Sequence, residues 1–210
     1  MKLTAEVVEG FSNSCLRQKF DGPTDTPWFH REWWQLCCGS QKYVAISAPR
    51  RHAKSTAVTH AYTLASVLFR ERSYVIIISD TYSQACQFLG DIKKELNDNE
   101  DIKQLFDIVE IEKDAEDDII VRFADKHRFR IQARGAEQKL RGLKWDNKRP
   151  DLIIGDDLEG DEQVQNRDRR AKLKRWFYGA LLPCLSKDGI VRIVGTILHL
   201  DSLQIGRAHV

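Results

Sequence analysis

The chain lacks a charge excess of either sign. Lys and Arg number 33 and Asp and Glu number 31, so the formal net charge is +2, although charged residues make up 30% of the 210 residues. A uniformly basic surface would need a large positive excess to offset many phosphates. We therefore expect any contact with DNA to be confined to a local patch.

Features of membrane-spanning and disulfide-bonded proteins are also missing. The sequence contains no apolar run of membrane length and no secretory signal. Its five cysteines form neither a C-x-x-C pair nor a zinc-binding spacing. These absences predict a cytosolic protein with reduced thiols and no membrane partner. A length of 210 residues is enough for one α/β core.

Glycine is missing from the segment that most directly implies a chemistry. An apolar strand, 43–48, leads into Ala48–Ser55 (APRRHAKS), which fits the P-loop pattern G-x-x-x-x-G-K-[ST] at Lys54 and Ser55. Ala48 and Ala53 stand in the glycine positions. Glycine allows a positive φ and close backbone approach, and a Cβ restricts both. Alone, the segment is equally compatible with nucleotide binding and with an ordinary strand–turn–helix connection.

In a P-loop these residues would hold a nucleotide. Lys54 would reach the β and γ phosphates, and Ser55 would place its hydroxyl on Mg²⁺. Loop amides and the start of the next helix would bind the phosphates. The complete predicted cradle is Ala48, Pro49, Arg50, Arg51, His52, Ala53, Lys54, Ser55 and Thr56. Arg50 and Arg51 would either act on the phosphates in cis or be solvated.

A cluster of acids supplies the second half of such a site. In Asp151–Glu159 (DLIIGDDLE), an apolar strand is followed directly by carboxylates. Ligands of open α/β sheets lie beyond the carboxyl ends of the strands. Asp156 would therefore stand beside the phosphates and hold Mg²⁺ through water, as a Walker B aspartate does. Asp157 and Glu159 compete to orient and deprotonate the attacking water. The alternative is a solvated acidic loop, and the P-loop upstream makes the Walker pair the favoured interpretation.

The remaining pattern indicates the fold. The predicted elements are helices at 3–20 and 29–38, a strand at 43–48, a helix at 54–70, a strand at 74–79, a helix at 81–97, an antiparallel hairpin within 108–133, a strand at 151–155, a helix to about 182 and a strand at 190–194. Alternating strands and helices predict an α/β fold with a mostly parallel sheet. We expect the acidic segment Glu112–Asp118 to be a loop.

Four further segments each allow two interpretations. Arg141, in Gln138–Gly142 (QKLRG), is either an arginine finger for a neighbouring subunit or a surface residue. Thr196, in 194–199 (VGTILH), either senses the γ-phosphate or merely ends a strand. The aromatic segment 28–34 (WFHREWW) either stacks on adenine or, as its helical spacing favours, packs into the core. The basic segment 167–177 either tracks a DNA backbone or is a solvated helix face.

Together, the order and spacing of these motifs resemble the ATPase domain of the large terminase subunit of tailed bacteriophages. The resemblance runs from about Pro27 to Leu203 through the segments PWFHREWW, APRRHAKST, QKLRG, RPDLIIGDDLE, RAKLKRWFYGALLPCL and VGTILHLDSL. It implies a RecA-like (ASCE) P-loop NTPase that couples hydrolysis of ATP, with Mg²⁺, to the threading of double-stranded DNA into a procapsid. The implied partners are DNA, the portal protein, the small terminase subunit and further copies in a ring. The implied location is the host cytoplasm, with transient docking on the procapsid.

The resemblance also implies a role for each matching residue. These are Lys54 and Ser55 as the Walker A pair, Arg50 as the Walker A arginine, Asp156 as the metal carboxylate, Asp157 at the position of the catalytic glutamate, Arg141 as the finger acting in trans, and Gly195 and Thr196 as the coupling motif. Two positions depart from the family pattern, Ala53 at the final P-loop glycine and Asp157 at the glutamate. Because Asp157 is the shorter acid, Glu159 remains an alternative base.

The predicted organisation is a helical lead at 1–42 and the ATPase domain at 43–204. The family's C-terminal nuclease domain is not in this sequence, so no nuclease activity is expected from it. Residues 205–210 (IGRAHV) match the translation of a sequencing-adapter read-through, which predicts a native sequence that stops near Gln204. A helicase-type DNA translocase and a catalytically inactive nucleotide-binding module are the alternative functions.

Overall fold

A seven-stranded sheet forms the centre of the computed structural model, which describes residues 2–16, 25–160 and 164–196. The strands are β1 Tyr43–Ser47, β2 Tyr74–Ser79, β3 Ile108–Ala115, β4 Asp118–Phe123, β5 Arg128–Gly135, β6 Leu152–Asp156 and β7 Ile190–Gly195. Their order across the sheet is β1-β7-β6-β2-β5-β4-β3. The first five in that order are parallel, and β4 is antiparallel to β3 and β5. The predicted mostly parallel sheet is confirmed.

Helices cover both faces of this sheet. They are α1 Ala5–Phe11, α2 Trp28–Cys38, α3 Thr63–Leu68, α4 Tyr82–Asp98, α5 Glu100–Leu105, α6 Arg167–Trp176 and α7 Leu182–Cys184, with π-helical segments at Ser12–Leu16, Ser55–Tyr62 and Phe177–Leu181. Ser55–Tyr62 runs directly into α3, and we call the two together the P-loop helix. Among the described helices, none combines the length and apolarity needed to span a membrane.

Burial on both faces explains why the central strands are so apolar. In β2, Val75 and Ile77 belong to a core cluster that includes residues of α1, α4 and the P-loop helix, whereas Tyr74, Ile76 and Ile78 belong to a second cluster that includes residues of α6, α7 and the π-helical segment between them. Strands of parallel sheets that are covered in this way read as continuous apolar runs. The sheet is therefore a rigid layer whose carboxyl edge can hold a site.

One buried arginine ties the N-terminal helices to that layer. Arg192 lies inside β7 with only 1% of its surface exposed, and its guanidinium donates to the carbonyl oxygens of Cys37 at 2.9 Å and Gln41 at 3.0 Å. Cys37 lies in the last turn of α2, where carbonyls have no partner within the helix. Arg192 thereby fixes the C-terminal end of α2 against the strand next to β1.

Most predicted elements agree with the structure to within one or two residues, and three do not. The antiparallel addition is a three-stranded meander rather than a hairpin, because β3 precedes β4. The expectation of a loop at Glu112–Asp118 was wrong, since residues 112–115 complete β3 and Asp118 begins β4. The short helix α5 was not predicted. The first predicted helix, 3–20, lies only partly within the described ranges. Residues 197–199 of the predicted coupling segment and the tail 205–210 lie outside them.

Candidate active site

One of the two glycine positions in the loop between β1 and the P-loop helix has a backbone conformation that favours glycine. The Ala48 amide donates to the Gly195 carbonyl at 3.1 Å, which extends the pairing of β1 with β7 by one residue. The chain then turns with positive φ at Arg51 (70°) and Ala53 (51°). A positive φ is the conformation that glycine adopts freely and that a Cβ disfavours. Ala53 therefore occupies a glycine position in geometry as well as in the sequence pattern.

The Lys54 side chain bridges the P-loop and the end of β7. Only 7% of its surface is exposed. Its Nζ donates to the Pro49 carbonyl oxygen and to Thr196 Oγ1, both at 3.2 Å. Nζ thus lies inside the curve of the loop, bound to neutral oxygens that an anionic phosphate would outcompete.

Thr196 joins this lysine to the acidic strand end. Because β7 lies between β1 and β6, Thr196 stands between the P-loop and the acids. Its amide donates to Asp157 Oδ1 at 3.0 Å, and its hydroxyl donates to the Ala48 carbonyl oxygen at 3.4 Å. Asp157 itself has φ 42°, and its amide donates to the Val194 carbonyl at 2.9 Å. Lys54, Thr196 and Asp157 therefore form one hydrogen-bonded chain across three strands.

Asp156 directly precedes Asp157 as the last residue of β6, and it is fully buried. Its Oδ2 accepts a short hydrogen bond from the Thr59 hydroxyl on the P-loop helix. Burial raises the pKa of Asp156 to about 6, against the lowering effect of the Thr59 and Ser55 hydroxyls. At neutral pH the carboxyl is therefore mostly ionised, although its surroundings penalise the charge.

Two buried oxygens at this strand edge have no hydrogen-bond partner within the described part of the chain. They are Asp156 Oδ1 and Ser79 Oγ, whose residues are register partners on β6 and β2. Orphaned buried polar atoms are rare and commonly mark the place of a water, an ion or a ligand. Together with the Ser55 hydroxyl, the atoms that could bind a metal here are all oxygens, which Mg²⁺ prefers as ligands. They are few enough for an ion that keeps several of its waters. The residues fit Mg²⁺.

The other predicted catalytic residues lie around this centre. Glu159 is half-buried, and Leu158 between the two acids packs into the core on the α6 side of the sheet. Arg50 and Arg51 are exposed on the loop. Arg141 is also exposed, beside Gly142 with φ 83°, and no hydrogen bond or ion pair joins it to the P-loop among residues 2–16, 25–160 and 164–196. The structure therefore brings Asp157 into hydrogen-bond contact with Thr196.

Helix α2 braces the P-loop from the side. The His30 ring Nε2 donates to the His52 carbonyl oxygen at 2.9 Å, and Trp34 Nε1 donates to the Ala57 carbonyl oxygen at 2.8 Å. Burial lowers the pKa of His30, so the ring is neutral at pH 7. Trp33 is buried and Phe29 packs, partly buried, against the same core cluster, which confirms the core interpretation for these two residues, and Trp34 is buried as well. Trp28 is 69% exposed, and the adenine-stacking alternative stays open for it.

Sequence reasoning missed two of these partners. Thr59 was assigned only to a helix, although it lies four residues after Ser55 and so on nearly the same helix face. That spacing could have indicated that it also faces the acidic strand. His30 was noted only as part of an aromatic segment, and its contact with the P-loop carries no signal in the sequence.

Comparison with known proteins supports the fold. The sequence matches no protein-family model, and no curated protein matches it. The solved ATPase domain of the large terminase of Thermus phage P74-26 superposes with a TM-score of 0.54 and 21% identity, covering 73% of this chain and 58% of that one. The large terminase of bacteriophage HK97 superposes with a TM-score of 0.58 and 16% identity, covering 92% of this chain and 38% of that one.

These identities establish a shared fold and nothing finer. The predicted fold class, an α/β fold with a mostly parallel sheet, is confirmed by the sheet of this chain and by its superposition on the matched structures. The chain spans less than two thirds of the length of either solved terminase.

Proposed function

We propose that the chain is the ATPase part of a phage large terminase, which hydrolyses ATP to drive double-stranded DNA into a procapsid. The observation that carries this proposal is the hydrogen-bonded chain from Lys54 through Thr196 to Asp157, with Asp156 and its free oxygen beside it. A fold shared with two solved large terminases supports the proposal of a packaging motor.

Nucleotide binding would begin at the lysine. The phosphates draw Nζ of Lys54 away from the Pro49 carbonyl and Thr196 Oγ1, because an anionic oxygen attracts the ammonium more strongly than a neutral carbonyl or hydroxyl oxygen does. Ser55 and, through water, Asp156 would hold Mg²⁺, which supplies charge neutralisation at the β and γ phosphates. The amides of the loop and of the first turn of the P-loop helix donate to the phosphate oxygens.

Hydrolysis needs an oriented water, and Asp157 is placed to orient it. The Thr196 amide fixes Oδ1 of Asp157, which leaves Oδ2 to accept a hydrogen bond from the water. The water oxygen bonds to the γ-phosphorus, its proton passes to the carboxylate, and the bond from the γ-phosphorus to the bridging oxygen breaks to release ADP. Lys54 offsets the charge that develops on the phosphoryl oxygens. Glu159, which lacks this fixed contact with Thr196, is the second choice for the base.

Coupling would run through Gly195 and Thr196. Thr196 accepts a hydrogen bond from Lys54 through its hydroxyl and donates one to Asp157 through its amide, so it is linked to both sides of the proposed γ-phosphate position. Loss of that phosphate returns the lysine to Thr196 and alters the end of β7. Arg50 would act within its own site. Arg141, which is exposed and makes no hydrogen bond to the P-loop within the described residues, would serve the site of a neighbouring copy in a ring.

The remaining partners follow from the motor proposal. Double-stranded DNA would be the translocated substrate, and the portal protein and small terminase subunit would be docking partners. The protein would then work in the host cytoplasm, transiently at the procapsid. The exposed basic residues of α6 are a candidate local patch for the DNA backbone, as the small net charge requires.

The test is ATP turnover by the chain with Lys54→Ala, alone and with procapsids carrying the portal. Loss of the P-loop lysine should lower the rate at least ~100-fold, because one preorganised donor to the transition state is worth that much. Lys42→Ala, which removes a lysine just before β1 at the opposite end of the strand, is the matched control and should retain the rate. A wild-type rate no higher than that of Lys54→Ala, even in assembled motors, would support the inactive module. Unwinding of duplex DNA without procapsids would support the helicase-type translocase.

A further inference from the structure

Thr59 has an unusual hydrogen bond for a helical threonine. Hydroxyls inside helices commonly bond to a carbonyl one turn earlier in the same helix. Two neighbours in this helix do so, since Thr63 Oγ1 donates to the Val58 carbonyl at 3.4 Å and Ser66 Oγ donates to the Tyr62 carbonyl at 2.8 Å. Thr59 instead donates across the packing interface to Asp156 Oδ2 on β6. Its hydroxyl therefore serves another element.

Burial makes this contact specific. Thr59 is 1% exposed and Asp156 is fully buried, so water does not compete for either group. The bond fixes one oxygen of the carboxylate and with it the rotation of the side chain. The other oxygen, Oδ1, has no partner among the described residues, and the Ser55 hydroxyl comes from the same helix about one turn before Thr59.

We propose that Thr59 is a positioning residue that locks the Asp156 carboxylate with Oδ1 directed at the Mg²⁺ of Mg²⁺-ATP. This inference rests on the proposed ATP site, and it assigns a role to a residue outside the Walker motifs. The P-loop helix would then act twice on the metal: Ser55 binds it directly, and Thr59 acts through Asp156. The helix and β6 are thereby held in register with each other at the metal position.

Two substitutions of Thr59 separate the contribution of its hydrogen bond from that of its packing. Thr59→Val keeps the shape and removes the hydroxyl, whereas Thr59→Ser keeps the hydroxyl and removes a methyl group. Thr63→Val is the matched control, because it removes a buried hydroxyl from the next turn of the same helix that bonds only to the helix itself. Thr59→Ala serves as a second hydroxyl-free variant if the valine does not fold.

The readout is Mn²⁺ binding by electron paramagnetic resonance in the presence of a non-hydrolysable ATP analogue. Thr59→Val should weaken Mn²⁺ binding about tenfold, the usual scale of one hydrogen bond to a charged group. Thr59→Ser and Thr63→Val should stay close to wild type. Affinity for a fluorescent ATP analogue in EDTA should be unchanged in all variants, because Thr59 acts only through the metal.

Each of the following results would overturn the inference while leaving the ATP site intact. One is Thr59→Val with wild-type Mn²⁺ affinity, and another is Thr59→Ser weakened as much as Thr59→Val, which would indicate packing. Adding Thr59→Val to Asp156→Asn should cost no further metal affinity, and a further loss would also contradict the role. A wild-type chain that binds no Mn²⁺-nucleotide would overturn the ATP site itself, and the role of Thr59 with it.

Discussion

A buried aspartate meets opposite surroundings at the carboxyl edge of the parallel strands and in the antiparallel meander. Asp156, at the end of β6, is fully buried, has one oxygen without a partner, and has a pKa raised by burial to about 6. Asp118, at the start of β4, is 2% exposed. Its oxygens accept from Arg130 at 2.8 and 2.5 Å and from Lys113 at 2.6 Å.

The pKa of each acid reflects this difference. Burial alone would raise the pKa of Asp118, but hydrogen bonds from Arg130 and Lys113 outweigh burial and lower it. Gln132 adds a further donor to Asp118 at 3.1 Å. The meander thus satisfies its buried charge completely, whereas the carboxyl edge of the parallel strands leaves one oxygen of its buried carboxylate without a partner among the described residues. A cation would relieve the burial penalty on Asp156, so the two aspartates separate an acid that stabilises the fold from an acid suited to binding a ligand.

The largest effect on stability should come from removing the ion pairs of Asp118. Asp118→Asn keeps the shape but removes the charge that pairs with Arg130 and Lys113. We expect the free energy of unfolding to fall by roughly 3–5 kcal/mol, the usual cost of removing one partner of a buried ion pair. Urea unfolding followed by circular dichroism measures this change. A loss below about 1 kcal/mol would mean that these pairs behave like solvated surface pairs.

The same substitution at Asp156 should change the free energy of unfolding in the opposite direction. Asp156→Asn removes a charge that burial disfavours, and a pKa shift from 3.8 to about 6 corresponds to a gain of up to roughly 3 kcal/mol at neutral pH. Hydrolysis should be lost, since the metal carboxylate is gone. The comparison requires EDTA, because bound Mg²⁺ would stabilise the wild type alone. A variant less stable than wild type at pH 7 would contradict the penalty.

The pH profile fixes the sign of that penalty. Because the folded pKa of Asp156 is raised, the folded state binds more protons than the unfolded chain between pH 3.8 and about 6. The contribution of Asp156 to stability therefore decreases as the pH rises through this window, and the advantage of Asp156→Asn should grow from pH 4 to 6 and stay constant above. For Asp118, whose pKa is lowered, the stabilisation is present above the unfolded pKa and is lost as the pH falls.

The sequence predicted these two regions unequally. Strand β2 was predicted at its observed limits, Tyr74–Ser79, because a strand buried on both faces is a bounded apolar run. Asp156 and the P-loop were predicted to meet because parallel strands present their carboxyl ends at one edge. The acidic strand β3 was missed because its glutamates face solvent and pair across the ladder, as Glu112 does with Arg122 and Arg128. Such pairs exist only once the partner strand is in register.

The contacts that organise the site were also beyond the sequence. Which oxygen Thr59 would meet depends on how closely the P-loop helix packs on β6, and helix propensity does not determine that distance. The Thr196 amide reaches Asp157 because β7 inserts between β1 and β6, which is a property of the strand order. Residue types at the site were therefore predictable, whereas their hydrogen bonds required the topology.

The smallest expected effect concerns the loop between β1 and the P-loop helix, where the unfavourable feature is a left-handed backbone at Ala53 rather than a buried charge. A left-handed conformation costs a residue with a Cβ about 1–2 kcal/mol, so replacing it by glycine removes that cost. Part of the gain is lost again, because glycine has more conformational freedom in the unfolded chain. Ala53→Gly should therefore raise the free energy of unfolding by about 0.5–1 kcal/mol. Ala48→Gly is the control: Ala48 lacks a positive φ, so this change should lower stability by a similar amount. Urea midpoints measure both changes, and a loss at both positions would show that φ at Ala53 is not left-handed in solution. If Ala53→Gly gains stability while its affinity for an ATP analogue stays unchanged, the loop already has its phosphate-binding shape without glycine, and Ala53 costs folding energy rather than function.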